Sequence, residues 1–161
     1  MAENFWMELY ARFMELDKTR KNLLKRAVNP EDLIENPVFY ELYRMENKEQ
    51  HQRNQVMRIV FCLPYIKHSE TGPSLGAAFA RMEKNRPVVG EKRMIQLYRT
   101  SDDKKAMEQL RRLLKLAQVD VDGEKAVTVN WALLGRKLMF WNDAARRNIL
   151  EDYYLAIKKM N

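Results

Sequence analysis

The sequence contains one cysteine, Cys62, among 161 residues. No disulfide can close within the chain, and nothing in its cysteine usage points to an oxidising compartment. Two histidines, His51 and His68, have no cysteine or carboxylate neighbours at metal-ligand spacing, so neither offers a metal site and both read as surface residues. Glycine is scarce, and neither Gly-x-x-x-x-Gly-Lys-Ser/Thr nor Gly-x-Gly-x-x-Gly occurs; the familiar phosphate-cradling loops are missing. No apolar run approaches the ~20 residues that cross a bilayer. The opening Met-Ala-Glu-Asn-Phe-Trp lacks the basic and apolar blocks of a signal peptide. A cytoplasmic protein without membrane contact is the expectation.

Alternating polar and apolar runs are also few, which argues against an all-β domain. What is abundant is Leu, Met, Ala, Glu, Lys and Arg, the residues that favour helices. With 46% hydrophobic residues the chain can bury a sizeable core. The expected fold is all-α: one compact chain of two packed helical lobes, residues 1–100 and 101–161. The one exception is at 119–129, where Asp122-Gly123 between Val-rich flanks predicts a small hairpin or a long loop.

Helical spacing runs through most of the chain. Phe5, Trp6, Leu9, Tyr10, Phe13 and Leu16 form an apolar stripe over a helix from Glu3 to Asp17, and a short basic element follows from Lys18 to Val28. Asn29-Pro30 and Asn36-Pro37 read as helix starts, with Asn as cap and Pro in the first turn. A longer helix from Glu49 to Leu63 buries Val56, Ile59, Val60 and Leu63, and Pro64 ends it. Cys62 sits among apolar neighbours and reads as a core thiol. A polar loop, 67–74, precedes a helix of small residues around Gly76. Glu91 to Arg99 is a short helix, and the helix from Ser101 to Val119 has Thr100 or Ser101 as cap. Asn130 caps a helix carrying Trp131, Leu134, Leu138 and Trp141. Asn142 or Asp143 begins the last, with Ile149, Leu150, Tyr153 and Ile157 inward.

The net charge is +7, and its placement matters more than its total. Between Arg81 and Lys115 there are 11 basic and 5 acidic side chains, whereas the remaining segments are close to neutral. On the Ser101–Val119 helix, Ala106, Leu110, Leu113, Leu114 and Ala117 share one face while Arg111, Arg112 and Lys115 point away. Such a concentration is the footprint expected for a polyanion, commonly nucleic acid, and a solvated helix face stands beside that reading. For catalysis the sequence supplies little. Asp102-Asp103 and Glu151-Asp152 are adjacent on helices, where side chains diverge by roughly 100°. A binding protein with no catalytic residues, metal or cofactor is the better class.

Several strings, in order, carry a family resemblance: Asn29-Pro-Glu-Asp-Leu, Pro37-Val-Phe-Tyr, Arg58-Ile-Val-Phe-Cys-Leu, Ser74-Leu-Gly-Ala-Ala, Glu91-Lys-Arg-Met-Ile-Gln-Leu, Leu110-Arg-Arg-Leu-Leu, Trp131 to Trp141 and Leu150-Glu-Asp-Tyr. Together they resemble the CasB small subunit family of type I-E CRISPR Cascade complexes over nearly the whole chain. The resemblance implies a non-catalytic, two-lobed helical subunit of a crRNA-guided surveillance complex in antiviral defence. Two copies would lie along the complex, beside other Cascade subunits and crRNA, stabilising the R-loop by contacts with nucleic acid that include the displaced DNA strand. Carried over by position, the nucleic-acid-binding residues would be Lys25, Arg26, Arg93, Arg99, Arg111, Arg112, Arg146 and Arg147. A stand-alone nucleic-acid-binding helical protein and a pure protein-interaction adaptor are the alternatives.

Overall fold

The structure, a computed structural model, describes residues 5–43 and 50–160. The helix starts expected at Glu3 and Glu49, and the side chain of His51, lie outside the described residues. Nine α-helices are present among the described residues: α1 Phe5–Met14, α2 Lys18–Leu24, α3 Pro37–Leu42, α4 Gln50–Cys62, α5 Leu75–Phe79, α6 Glu91–Arg99, α7 Asp103–Ala117, α8 Trp131–Met139 and α9 Asp143–Met160. Turns of 3-10 helix at Pro30–Glu35 and Leu63–Tyr65 complete the helical part.

The fold is mostly helical but not all-α. Of the hairpin and the long loop that the Asp-Gly turn left open, the structure has the hairpin: β4 Val119–Val121 and β5 Glu124–Val129 pair antiparallel, with Asp122 and Gly123 at φ 53° and 86°. Both central residues then twist as a two-residue hairpin needs. β5 continues beyond the hairpin and pairs in parallel with β1, Ile66–His68, giving a three-stranded sheet in the order β1-β5-β4. The start of the expected 67–74 loop is therefore a strand. Its pairing partner lies some sixty residues away, Lys67 opposite Thr128, and local patterning cannot register such a partner. A second ribbon pairs β2 Met82–Glu83 with β3 Arg86–Pro87 across a turn in which Lys84 and Asn85 both have positive φ.

Buried side chains form one contiguous cluster that draws on both ends of the chain. Trp131 is fully buried, and its indole N–H donates to the Trp6 carbonyl at 2.8 Å. Two glycines permit the closest approaches. At Gly76 on α5 a Cβ would overlap the Ile149 carbonyl of α9, and at Gly135 on α8 it would meet the Trp6 indole of α1 at 2.5 Å. Tyr153 of α9 is likewise buried and donates to the Val89 carbonyl at 2.7 Å, just before α6 begins. These contacts fix where α6 and α7 stand.

Candidate nucleic-acid interface

Helices α6 and α7 are joined by three residues and lean on the core through Met94 and Leu97 on one and Ala106, Leu110, Leu113 and Leu114 on the other. Asp102 is the cap of α7, its carboxylate accepting the Lys105 N–H at 3.0 Å, one or two residues later than the sequence suggests. Thr100 Oγ1 braces the pair, 2.7 Å from the Gln96 carbonyl and 3.0 Å from the Gln109 side chain. With the apolar stripes turned inward, the outer faces enclose a cleft of about 520 Å³ lined by Arg93, Gln96, Gln109, Arg112, Lys115 and Leu116 with the edge of Leu113. A shallower depression of about 380 Å³ adjoins it along Lys92, Ile95, Gln96, Arg99 and Thr100. Neither lining contains a carboxylate. Lys92, Arg93, Arg99, Arg112 and Lys115 are all exposed, and among the described residues none is in an ion pair. Five cations outside any ion pair on two neighbouring helices repel one another and favour an anion between them.

Of the eight residues carried over by the resemblance, three meet here: Arg93, Arg99 and Arg112. Lys92 and Lys115 join them; Lys92 was legible as the i−7 neighbour of Arg99 on α6, and Lys115 as part of the outer face of α7. The other five lie elsewhere. Arg26 is exposed just past α2 and Lys25 is half-buried. Arg147 is 53% exposed, and its guanidinium donates to Asp143 at 2.7 Å, which holds it above its ordinary pKa.

Arg111 and Arg146 are placed differently. Rather than pointing away from the core, Arg111 is half-buried, donating to the Tyr65 hydroxyl at 3.0 Å and to the Lys25 carbonyl at 3.4 Å. The side chain of Arg146 is 11% exposed; it donates to the Tyr98 carbonyl at 2.6 Å and lies 3.6 Å from Asp143. Three further arginines follow the same pattern. Arg12 donates to the Leu42 carbonyl, Arg58 to those of Leu138 and Met139, and Arg81 to that of Ala117. Each of the five reaches the C-terminal end of a different helix, in turn α2, α6, α3, α8 and α7. Carbonyls there lack intrahelical donors and carry the negative end of the dipole. A guanidinium with five fixed N–H groups suits that position.

The remaining sequence candidates have structural places. Cys62 is fully buried, and burial pushes its thiol up to about 12 although the nearby Arg58 opposes the shift. Burial also lowers the Arg58 guanidinium. His68 is half-buried rather than a surface residue, with Nδ1 accepting the Trp131 N–H at 2.9 Å beside the ring of Tyr10. Asn130 stands at the N-cap of α8 as expected, but its side-chain amide donates to the Glu70 carbonyl and the capping acceptor is the imidazole of His68. This cap became available only when β1 and β5 paired. Among the described residues no group of three or more His, Cys, Asp or Glu is placed to hold a metal ion.

Fold and cleft together define a mostly helical protein that presents cations outside any ion pair, among the described residues, on two helices braced through Thr100. The chain belongs to the CRISPR-associated Cse2 family, whose description it matches over residues 21–154. It is 34% identical to the CRISPR system Cascade subunit CasB of Escherichia coli strain K12, with 95% of this chain and 94% of that protein aligned. It also resembles a chain in the crystal structure of E. coli Cascade bound to a PAM-containing double-stranded DNA target. That match has 32% identity and a TM-score of 0.73, covering 93% of this chain and 96% of the other.

Proposed function

We propose that this chain is the small subunit of a Cascade-type surveillance complex, a non-catalytic cytoplasmic protein of antiviral defence that helps hold an R-loop open. Its partners are the other subunits, crRNA, target DNA with its displaced strand, and a second copy of itself. Family membership and the E. coli relatives support the assembly. The observation that carries the nucleic-acid role is the carboxylate-free cleft between α6 and α7, with Lys92, Arg93, Arg99, Arg112 and Lys115 unpaired. In such complexes guide pairing reads the sequence, so the small subunit needs only phosphate contacts blind to sequence. Arginines supply forked donors for phosphate oxygens, and lysines add hydrated point charges. Arg111 and Arg146 act as positioning residues, holding α7 and α6 in place. Arg26 and Arg147 offer further contacts on other faces.

The test is a titration of fluorescent single-stranded oligothymidine at several salt concentrations, comparing the wild type with Arg112→Ala/Lys115→Ala. For single strands the log–log salt slope is about −0.7 per phosphate neutralised, so losing two contacts flattens it by about 1.4. A wild-type slope in the double variant would remove the cleft from the interface. Absence of salt-dependent binding by the wild-type chain would favour an adaptor that meets acidic protein surfaces instead.

A further inference from the structure

One stretch of this cationic chain carries no cation. Residues 28–43 hold four carboxylates and no Lys, Arg or His, and three of the nine large apolar side chains left exposed among the described residues, Val28, Ile34 and Tyr40, fall within them. The 3-10 turn at Pro30–Glu35 sorts these groups, because side chains three apart eclipse one another in that geometry. Pro30 and Leu33 form the buried row, which leaves Glu31 with Ile34 and Asp32 with Glu35 as two outward rows. Helix α3 extends the apolar surface: Pro37 and Tyr40 are both exposed, three residues apart on one face, and the Tyr40 hydroxyl donates to the Ile34 carbonyl at 2.7 Å. Asp32 and Glu41 are engaged, the first accepting the Val28 N–H at 2.9 Å and the second lying 3.1 Å from Arg20. Glu31 and Glu35 are in no ion pair among the described residues, although Glu31 borders a depression that Lys104 also lines. We propose that this patch, Ile34, Pro37 and Tyr40 inside an acidic rim, docks a basic, apolar-bearing protein surface of a neighbouring subunit.

Three properties select that partner. Tyr40 satisfies its hydroxyl inside the patch, so its ring and Ile34 can be covered without stranding a polar group. An aromatic anchor of this kind suits the centre of a protein interface. The rim repels phosphate, which turns away nucleic acid and an anionic membrane alike and sets this face apart from the α6–α7 cleft. A partner arginine is held in two ways, stacked on the exposed Tyr40 ring with its fork turned to a rim carboxylate. A second copy of this chain is the poorer fit. Its matching surface is the α6–α7 cleft with exposed Leu116, and contact between patch and cleft of identical chains is heterologous, continuing as an open string while filling the positions assigned to phosphates.

The assignment rests on the assembly reading above, and the two fail separately in one experiment. The cognate crRNA-bearing complex, purified without this subunit, is titrated into the dye-labelled full chain, and binding is read by anisotropy. Ile34→Ser/Tyr40→Ala, at two positions each about half exposed, should weaken binding about 30-fold and leave the oligothymidine salt slope at the wild-type value. Glu31→Lys/Glu35→Lys, which spares both the buried row and the Asp32 cap, should slow association about tenfold. Wild-type affinity in both variants overturns the docking patch alone. Tighter binding by the lysine variant would put phosphate or an acidic surface opposite the patch, and the proposal fails. It fails also if sedimentation of the free chain shows self-association that Ile34→Ser/Tyr40→Ala abolishes, because the occupant is then a second copy. No binding of the wild-type chain to the complex overturns the assembly reading and the patch with it.

Discussion

On α7, Arg111 and Arg112 are covalent neighbours with opposite employment. Arg111 turns inward to Tyr65 and the end of α2, whereas Arg112 stands exposed in a cleft with no carboxylate in its lining. The same split recurs on α9, where Arg146 reaches the end of α6 while Arg147 stays on the surface with Asp143. One part of the positive charge thus tethers helix ends and another is left for anions. The difference lies in desolvation. A cation taken out of water must find acceptors, and a helix C-terminus supplies them, while an exposed cation keeps its hydration and its long-range field.

The most severe challenge to this division is Arg146→Ala, which strips the part-buried Tyr98 carbonyl of a charged donor. A loss of about 2–3 kcal/mol is expected, a Tm drop of about 5–10 °C for a chain of this size. A melt unchanged by the substitution would show that the tether contributes nothing. Next is the neighbouring pair. Arg111→Ala should cost about 1–2 kcal/mol and leave the oligonucleotide salt slope intact. Arg112→Ala should leave stability within about 0.5 kcal/mol and flatten the slope by about 0.7. Exchanged phenotypes would break the comparison outright.

A smaller effect than that of either tether concerns Cys62, fully buried one turn of α4 from Arg58. Cys62 is held up at about 12 by burial, against ~8.5 for a thiol in the unfolded chain. A folded-state pKa that is raised gives stability that is full below the unfolded value and lost as pH climbs toward the folded one. Between about pH 8 and 9.5 the wild type should therefore lose roughly 1 kcal/mol more than Cys62→Ala in urea melts. Equal losses would mean that water reaches the thiol.

Much of this was legible in the chain. Glu91–Arg99 was bounded as found, the α7 stripe from Ala106 to Ala117 is buried as its spacing requires, and Asp122-Gly123 marked the turn of what is a hairpin rather than a long loop. Arg93, Arg99 and Arg112 shared a segment with the charge surplus, and they share a surface. The role of His68 was not legible, because β1 must pair with β5 before its imidazole meets the Trp131 N–H. Nor was the placing of α2, a basic element in the sequence, across a groove from the β4–β5 hairpin, since the two come together only in the tertiary structure.

The sequence by itself determined which stretches are helical, which faces are apolar and which segment carries the surplus charge, because these follow from short-range periodicity and composition. Tertiary structure alone decided which arginines are free. Whether a guanidinium meets water or a stranded carbonyl depends on the helix end brought beside it by packing. That neighbour is 86 residues away for Arg111 and 48 for Arg146, beyond anything local spacing encodes.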